Sequence, residues 1–334
     1  MPLFNAIKCC LKAISPASIG IADIGAMGGV SKRWLSLGSQ KKIVAFEPDE
    51  REFHKLQNTA DVHYLPKAVF SKKEALTLNV ARDGGKTSLY APNNGFLNRF
   101  PDPRRYETVK TVSIEGPAVM CLDELPQMGY VPDFVKIDTQ GSELDILQGA
   151  QIVLSRDICG VELEVEFVPL YIGQPVFRDV DAFLSSRGFE LFDLRRTFWK
   201  REAFYDFPGK GQVIFGDAVY FRSIASMENI FKNLMDADQQ RVKLFKMITM
   251  TLLYGFYDYA YELAQWGLDH GQLNGKDQEL LALIKKDADQ GIKGIFYKYP
   301  FFSVWAQRLA RLMTPPSYLG FADGDQRIGN TKLY

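Results

Sequence analysis

The stretch SIGIADIGAMGG, residues 18–29, decides the fold class of this chain. Its first half is apolar and predicts a strand, and Gly25 ends the run. Glycines at 25, 28 and 29 let a ligand approach the backbone, because no Cβ atom stands in its way. Asp23 offers a carboxylate that can pair with an ammonium group of that ligand. The stretch therefore predicts a buried strand followed by a ligand-binding turn.

The pattern around this stretch alternates strands with helices up to about residue 200. A second apolar run, residues 43–46, ends at Glu47, and helical spacing follows in pairs such as Leu144 with Leu147 and Val180 with Leu184. Further strands are predicted at residues 62–70, 134–137, 158–168, 189–194 and 212–221. This alternation predicts an α/β fold with a mainly parallel, doubly wound sheet.

Three segments depart from the alternation. Residues 1–18 predict a short N-terminal helix, so the α/β domain is expected to span residues 19–224. Within it, residues 71–125 carry strand-like and turn-rich sequence, which predicts a small antiparallel insertion with a loop over the sheet. Residues 225–334 show helical spacing, which predicts a helical C-terminal appendage with an irregular tail. Ser88 and Tyr90 on the inserted loop are candidates for covering a substrate.

The turn after the first strand and the residue that ends the second strand limit which cofactor the chain could bind. Glu47 follows that strand, where an acid can bind both hydroxyls of a ribose. A dinucleotide fingerprint needs glycines at the first, third and sixth positions, but Met27 and Val30 occupy the third and sixth positions counted from Gly25. S-adenosylmethionine has no pyrophosphate and tolerates a looser turn. The spacing favours S-adenosylmethionine over NAD, with an NAD-dependent oxidoreductase kept as an alternative.

Two further strands carry acids that suit proton transfer. In VKIDTQGSE, residues 135–143, strand alternation places Lys136 and Asp138 on one face, with Asp138 at the carboxyl end. In VELEVEF, residues 161–167, Glu164 and Glu166 share a face. No histidine falls in a motif, so Asp138, Glu164 and Glu166 are the candidate bases. Alternatively, Asp138 and Glu164 could hold Mg²⁺ and lower the pKa of an acceptor hydroxyl.

Composition excludes several classes of protein. Lys plus Arg and Asp plus Glu both number 40, which argues against a nucleic-acid partner. Four cysteines and three histidines are too few and too scattered for a disulfide framework or a zinc site. No apolar run is long enough to span a bilayer, and the N-terminus lacks signal-peptide features. A cytoplasmic location is expected.

Together the motifs resemble those of the FkbM family of methyltransferases over residues 20–200. The order and spacing of many short pieces carry this resemblance. The pieces are DIGA at 23–26, AFEP at 45–48, KAV at 67–69, TSL at 87–89, LDEL at 122–125, VKIDTQGSE at 135–143 and LQGA at 147–150, with EVEF at 164–167, LY at 170–171 and QP at 174–175 typical of a subgroup. Met27 and Gln140 stand where Asn and Glu are frequent.

The resemblance implies a class I methyltransferase fold with a Rossmann-like sheet and O-methylation of sugars, glycans or other hydroxylated metabolites, including surface polysaccharide. It places Glu47 at the ribose and Asp138 beneath the sulfonium and the acceptor hydroxyl. The other implied cofactor residues are Asp23, Gly25, Ala26, Gly28, Gly29, Phe46, Pro48, Lys67, Ala68 and Val69. Tyr171 and Gln174 join Ser88 and Tyr90 as implied substrate residues.

A third class of function stays open beside the methyltransferase and the oxidoreductase. The chain could be a non-catalytic Rossmann-like scaffold that presents its helical C-terminal region to a partner. The aromatic residues of the stretch GFYDYAYELAQWGL, residues 255–268, could serve a homo-oligomer or partner face, or pack inside a helical bundle. Failure to bind any cofactor would favour the scaffold.

Overall fold

The computed structural model describes residues 4–207, 211–232, 234, 236–292, 305, 309, 321 and 322. Twelve strands lie within these residues. They are β1 Ile19–Ile24, β2 Lys41–Phe46, β3 Val62–Leu65, β4 Ala68–Val69, β5 Leu76–Ala81, β6 Thr108–Ile114, β7 Val119–Met120, β8 Phe134–Ile137, β9 Gly160–Glu166, β10 Phe189–Trp199, β11 Gln212–Arg222 and β12 Phe321–Ala322.

Eleven α-helices lie within the same residues, besides short 3₁₀ turns. They are α1 Asn5–Ile14, α2 Lys32–Leu35, α3 Glu50–Phe53, α4 Asn94–Leu97, α5 Glu143–Gln148, α6 Gln151–Arg156, α7 Phe177–Ser185, α8 Ile224–Phe231, α9 Ala237–Leu253, α10 Tyr257–Asp269 and α11 Glu279–Ile292. None of the helices in this part of the chain is long and apolar enough to cross a membrane. The cytoplasmic location stays a prediction.

The central sheet has the order β12-β10-β11-β9-β8-β1-β2-β3. Strand β1 pairs in parallel with β2 and β8, and the parallel pairing continues from β2 to β3 and from β8 to β9. Strand β11 runs antiparallel between β9 and β10. The mainly parallel, doubly wound sheet predicted from the sequence is confirmed. The carboxyl ends of β1, β2, β8 and β9 consequently meet at one edge, where open α/β sheets bind ligands.

Two predicted elements are divided in the structure. The strand expected at residues 62–70 breaks after Leu65, and β4 leaves the sheet to pair with β7. Pro66 stands at the break, where its missing N–H removes a donor for the ladder. The helical spacing that starts at Leu144 and Leu147 belongs to two short helices, α5 and α6, rather than to one. Gly149 lies between them, and a Cβ atom there would be 2.5 Å from the carbonyl oxygen of Phe70.

The insertion contains the predicted antiparallel pair, formed by β5 and β6. The side chains of Leu78 and Val80 from β5 pack with Ile114 from β6 and with Ala68 and Val119 in a small core of their own. This core holds the connecting loop, residues 82–107, beside the carboxyl edge of the sheet. The insertion thus has a small hydrophobic core of its own, and its loop lies beside the sheet edge, as expected for a loop over the sheet.

The two faces of the sheet bury different helices. On one face, Ile146, Leu147 and Val153 of α5 and α6 pack against the strands. On the other, one continuous cluster joins Ile21 of β1 and Ile43 of β2 to α1 and to the helices after residue 225. The C-terminal region forms the expected helices over residues 236–292, and these helices form a layer on the sheet, while β12 adds a short strand beside β10. The boundaries assigned to the domains stay predictions, and the tail after 314 lies outside the described residues apart from β12.

Candidate active site

A cavity of about 310 Å³ opens at the carboxyl edge of the sheet. The turn after β1, the ends of β2, β8 and β9, and the inserted loop all contribute to its wall. The lining residues are Ile24, Gly25, Met27, Gly29, Phe46, Glu47, Pro48, Lys67, Ala68, Val69, Leu78, Gly84, Gly85, Lys86, Thr87, Ser88, Leu89, Lys136, Asp138, Thr139, Gln140, Ser142 and Glu164. Most of the residues predicted to bind a cofactor therefore meet in one place.

Gly25 is required by the geometry of the first turn. Its φ is +81°, and a Cβ atom would lie 1.9 Å from the carbonyl oxygen of Asp138. The absence of a side chain lets the turn after β1 lie directly against the end of β8. Gly28 and Gly29 also have positive φ, but of these two only Gly29 lines the cavity, and Ala26 is buried away from it.

Glu47 occupies the position predicted for ribose binding. It is buried where β2 ends, lines the cavity, and accepts a hydrogen bond at Oε1 from the backbone N–H of Asp49, 2.8 Å away. No donor among the described residues contacts its other oxygen. Burial raises the pKa of Glu47 to about 7, with the nearby carboxylates of Asp49 and Glu52 adding to the shift. A buried acid with a free oxygen suits a pair of ligand hydroxyls.

The wall around β4 contains three of the residues that the resemblance implies for the cofactor. Lys67, Ala68 and Val69 line the cavity next to Phe46 and Pro48. Ala68 and Val69 are buried, and β4 is held in place by its pairing with β7. This part of the wall is apolar, which is what a flat heterocycle needs on its faces.

Asp23 is placed differently from the prediction. Its side chain is buried beneath the cavity floor and does not line the cavity. Lys136 Nζ lies 3.6 Å from a carboxylate oxygen of Asp23 and 3.6 Å from one of Asp138. Burial raises the pKa of Asp23 to about 6 although Lys136 opposes the shift. Asp23 therefore contacts Lys136, and Lys136 presents its charge to the cavity.

The candidate bases are brought together at the ends of β8 and β9. Asp138 and Glu164 both line the cavity, and the side-chain amide of Gln140 contacts both of them. Gln140 Nε2 lies 3.3 Å from Asp138 Oδ1 and donates a second hydrogen bond to Glu164 Oε1. Burial, followed by the negative charge of Asp138, raises the pKa of Glu164. Glu164 is thus an acid whose environment favours proton uptake.

Glu166, the third predicted base, does not reach the cavity. It is 1% exposed, and its Oε1 has no hydrogen-bond partner among the described residues. Burial raises the pKa of Glu166, with Glu143 and Glu164 contributing. Glu143 accepts hydrogen bonds from the backbone N–H groups of Thr139 and Gly141 and so shapes the turn after β8. The pattern of alternate glutamates predicted one face of the strand, but of Glu164 and Glu166 only Glu164 lines the cavity.

Of the four residues predicted to contact a substrate, only Ser88 lines the cavity. Ser88 Oγ donates to the carbonyl oxygen of Gln140 at 2.7 Å. The Tyr90 hydroxyl donates to Asp145, while Gln174 accepts from the backbone N–H of Tyr171. The Tyr171 hydroxyl is near enough to donate to Gln140 Oε1, at 3.0 Å. Tyr90, Tyr171 and Gln174 therefore form hydrogen bonds near the cavity without lining it.

Sequence reasoning missed Gln140 and Lys86. Gln140 has φ +59° and is 6% exposed, so its side chain is fixed inside the site. Lys86 belongs to the inserted loop and lies 3.4 Å from Gln140 Oε1. The sequence offered one signal for Gln140. Its long polar side chain stands directly before Gly141, in a turn where the hydrogen bonds of the strand do not need it. Lys86 carried no such signal, because its position depends on how the insertion folds.

The described residues contain no group of three or more His, Cys, Asp and Glu side chains arranged to hold a metal ion. Asp138 and Glu164 share the amide of Gln140 between them. The Mg²⁺ alternative therefore gains no support from the donor set.

A family model described as the methyltransferase FkbM domain matches residues 23–191 of the chain, which is half of its length. This range begins at Asp23 and includes every residue of the cavity wall named above. No curated protein matches the chain significantly.

Solved structures of methyltransferases match the chain at low similarity. A methyltransferase FkbM from Methylobacillus flagellatus is 15% identical, with 61% of this chain and 43% of that chain covered and a TM-score of 0.33. A precorrin-6y C5,15-methyltransferase from Geobacter metallireducens is 14% identical, with 65% and 86% covered and a TM-score of 0.33. A magnesium protoporphyrin IX methyltransferase from Synechocystis with bound S-adenosylmethionine is 9% identical, with 66% and 77% covered and a TM-score of 0.30.

Proposed function

Because the chain belongs to the FkbM family of methyltransferases, we propose that it transfers a methyl group from S-adenosylmethionine to a hydroxyl oxygen of a sugar, a glycan or another hydroxylated metabolite. One observation carries the proposal. A single cavity contains Glu47 at the end of β2 and the carboxylates of Asp138 and Glu164 at the ends of β8 and β9. Candidate binding groups for a nucleoside and acids for proton transfer thus line the same cavity.

The residues of the cavity fit S-adenosylmethionine. Glu47 would bind the ribose hydroxyls through its free oxygen, and Ala68 and Val69 would border the adenine. The turn at Gly25 packs directly against the carbonyl oxygen of Asp138, which brings the ends of β1 and β8 together beside the cavity. When bound, the cofactor supplies a methyl group on a positively charged sulfur, which departs as a neutral thioether.

The protein must orient the acceptor hydroxyl and take up its proton as the new carbon–oxygen bond forms. Glu164 is the base we propose, since it lines the cavity and burial together with the charge of Asp138 raises its pKa, which makes its carboxylate more basic. Asp138 is positioned to accept a hydrogen bond from the same hydroxyl. The net result is an ether, the thioether product and a proton on Glu164, which water then removes.

A hydroxyl-rich acceptor suits the acids of this wall. Carboxylates accept hydrogen bonds from sugar hydroxyls, and their negative charge disfavours phosphorylated or acidic acceptors. Together with the family resemblance, this supports a neutral sugar or glycan, of which surface polysaccharide is one source. The methyl donor is common to the family, whereas the acceptor is the proposal specific to this chain.

Isothermal titration calorimetry with S-adenosylmethionine and S-adenosylhomocysteine tests the cofactor. Wild-type protein is expected to bind both at micromolar concentration, and Glu47→Ala is expected to weaken both at least tenfold, the loss of a charge-assisted hydrogen-bond pair. Glu50→Ala, on the exposed side of α3, is the matched control. If well-folded wild-type protein binds neither ligand, the methyltransferase proposal fails and the scaffold gains support. If it binds NAD(H) instead, the oxidoreductase does.

Asp138→Asn tests the proton-transfer side of the site. The change preserves shape and removes one charge, so the affinity for the neutral S-adenosylhomocysteine should stay within a few-fold of wild type. Methyl transfer to a panel of neutral sugars and glycans, followed with a radiolabelled methyl group, should fall at least a hundredfold. Undiminished transfer by Asp138→Asn would remove Asp138 from the chemistry.

A further inference from the structure

Gln140 is the point at which three elements of the site meet. Its side chain contacts Asp138 at the end of β8, Glu164 on β9 and Lys86 on the inserted loop. Its backbone carbonyl accepts a hydrogen bond from Ser88 of the same loop. The left-handed backbone at Gln140, with φ +59°, aims the side chain into this junction.

The orientation of the Gln140 amide is fixed by its neighbours. The ammonium group of Lys86 has donors only, so the atom 3.4 Å from it must be the amide oxygen. The Tyr171 hydroxyl lies 3.0 Å from the same oxygen and donates to it. The NH₂ group therefore faces Asp138 and Glu164, which are acceptors when ionised. The contacts of the amide with Lys86, Tyr171, Asp138 and Glu164 are all consistent with this orientation.

This arrangement keeps Lys86 apart from the two carboxylates. An amide stands between the ammonium group and Glu164, so the lysine cannot form a direct ion pair with Glu164 in this geometry. Without the amide, Lys86 would be free to turn towards Glu164 and offset its charge at contact distance. Lys86 therefore acts on Glu164 only at longer range, where it opposes the rise in the pKa of that acid, while Lys136 lies 3.6 Å from Asp138.

We propose that Gln140 is a positioning residue that holds Asp138 and Glu164 towards the cavity as a carboxylate pair and thereby makes the site prefer the positively charged S-adenosylmethionine over its neutral product, S-adenosylhomocysteine. The inference rests on the proposed function. The negative charge that this pair holds attracts the sulfonium of the substrate and has no such attraction for the thioether. Release of the product is favoured by the same residues that bind the substrate.

Other ionisable groups also act on Glu164, and the test must separate Gln140 from them. They come from β8, β9, β10, β11, α5, the inserted loop and the loop after β9. These groups are Asp138, Glu166, Arg195, Asp217, Glu143, Lys86, Tyr106 and Tyr171. All of these groups are still present when Gln140 alone is replaced, although Lys86 and Tyr171 then lose their contact with its amide oxygen.

The experiment uses Gln140→Met, which keeps the length of the side chain and removes both the donor and the acceptor. Calorimetry gives the dissociation constants of S-adenosylmethionine and S-adenosylhomocysteine for the full-length variant. The ratio of the two constants should shift by about tenfold towards the neutral product, the effect of losing one charge-assisted hydrogen bond. Gln240→Met, on α9 and away from the site, is the matched control and should leave the ratio unchanged.

A second pair of variants distinguishes an effect of Gln140 through Glu164 from a general loss of order in the site. Glu164→Gln should shift the ratio in the same direction, and Gln140→Met combined with Glu164→Gln should add little to Glu164→Gln alone. A purely structural role of Gln140 would weaken both ligands equally and leave the ratio where it was, which overturns the inference. Additive shifts in the double variant would also overturn it, because Gln140 would then not act through Glu164.

Different results would refute the proposed function and the proposed role of Gln140. If wild-type protein binds neither ligand, the proposed function itself is wrong. If wild-type protein binds both and Gln140→Met leaves the ratio unchanged, the methyltransferase assignment stands and only the role of Gln140 is refuted. Should Gln140→Met not fold, Tyr171→Phe frees one side of the amide and should shift the ratio in the same direction by a smaller factor.

Discussion

The ammonium group of Lys243, in the middle of α9, lies 2.6 Å from a carboxylate oxygen of Asp133. The other oxygen of Asp133 contacts Lys246 at 2.9 Å and accepts a hydrogen bond from the backbone N–H of Gly20 at 2.8 Å. Burial would raise the pKa of Asp133, but Lys243 and Lys246 outweigh it and lower that pKa. This buried network joins the C-terminal helices to the start of β1 and β8.

Lys243→Met should therefore destabilise the whole protein. Removing one partner of a buried ion pair leaves Asp133 with only Lys246, and we expect the free energy of unfolding to fall by about 3 kcal/mol. Urea unfolding followed by circular dichroism measures the change. Lys232→Met, at a side chain that is 71% exposed, is the control and should change it by less than about 0.5 kcal/mol. An unchanged stability in Lys243→Met would mean that the C-terminal helices fold independently of the sheet.

Gly25→Ala and Gly28→Ala form a matched pair. Both glycines have positive φ, +81° and +77°, but only a Cβ atom at Gly25 meets another group, the carbonyl oxygen of Asp138 at 1.9 Å. Gly28→Ala should cost about 1 kcal/mol through backbone strain. Gly25→Ala should cost at least about 3 kcal/mol more and abolish cofactor binding, because the turn and the end of β8 must move apart. Thermal unfolding and calorimetry check both, and equal losses would contradict the packing described here.

The stability of the ligand-free protein should depend on Glu47 in a pH-dependent way. The folded-state pKa of Glu47 is about 7, above its ordinary value of 4.5. Between these values the folded state holds a proton that the unfolded state has lost, so this contribution to stability declines as the pH rises and is absent above about 7.5. The difference amounts to at most about 3 kcal/mol.

Glu47→Gln should consequently be more stable than wild type at pH 8 and close to it at pH 4.5, while it binds the cofactor poorly. Differential scanning calorimetry across this range measures the melting temperatures. Glu50→Gln, with an exposed side chain, should follow the wild-type profile. Parallel profiles for wild type and Glu47→Gln would show that Glu47 does not titrate abnormally.

Ser88→Ala should loosen the inserted loop over the cavity. Ser88 Oγ donates to Gln140 O at 2.7 Å and accepts from the backbone N–H of Tyr90 at 2.9 Å, so the variant loses two buried hydrogen bonds. Hydrogen exchange in residues 82–90 should accelerate about tenfold or more, as the local opening costs about 1.5 kcal/mol less. Ser113→Ala, an exposed hydroxyl on β6, is the control. Unchanged exchange in Ser88→Ala would mean that the loop is held by other contacts.

The strand ends were predictable from the sequence, because the signals are local. Gly25, Glu47 and Asp138 each follow a short apolar run, and the rule that parallel strands end at one edge places them together. The antiparallel insertion was predictable for the same reason, from alternating residues around Leu78 and Val112. The break of the third strand could have been predicted from Pro66, but the pairing of its second half with β7 could not, because β7 lies far along the chain.

The sequence by itself determined the α/β class, the order of strands and helices, the turn at Gly25 and the acids that face the cavity, since each depends on residues close together in the chain. Only the tertiary structure decided that Asp23 lies beneath Lys136, that Glu166 stays outside the cavity and that Gln140 separates Lys86 from Glu164. It also decided that α9 covers the sheet through Lys243. These contacts join residues that are far apart in sequence. They follow from the strand order and the packing of the insertion, which no local pattern specifies.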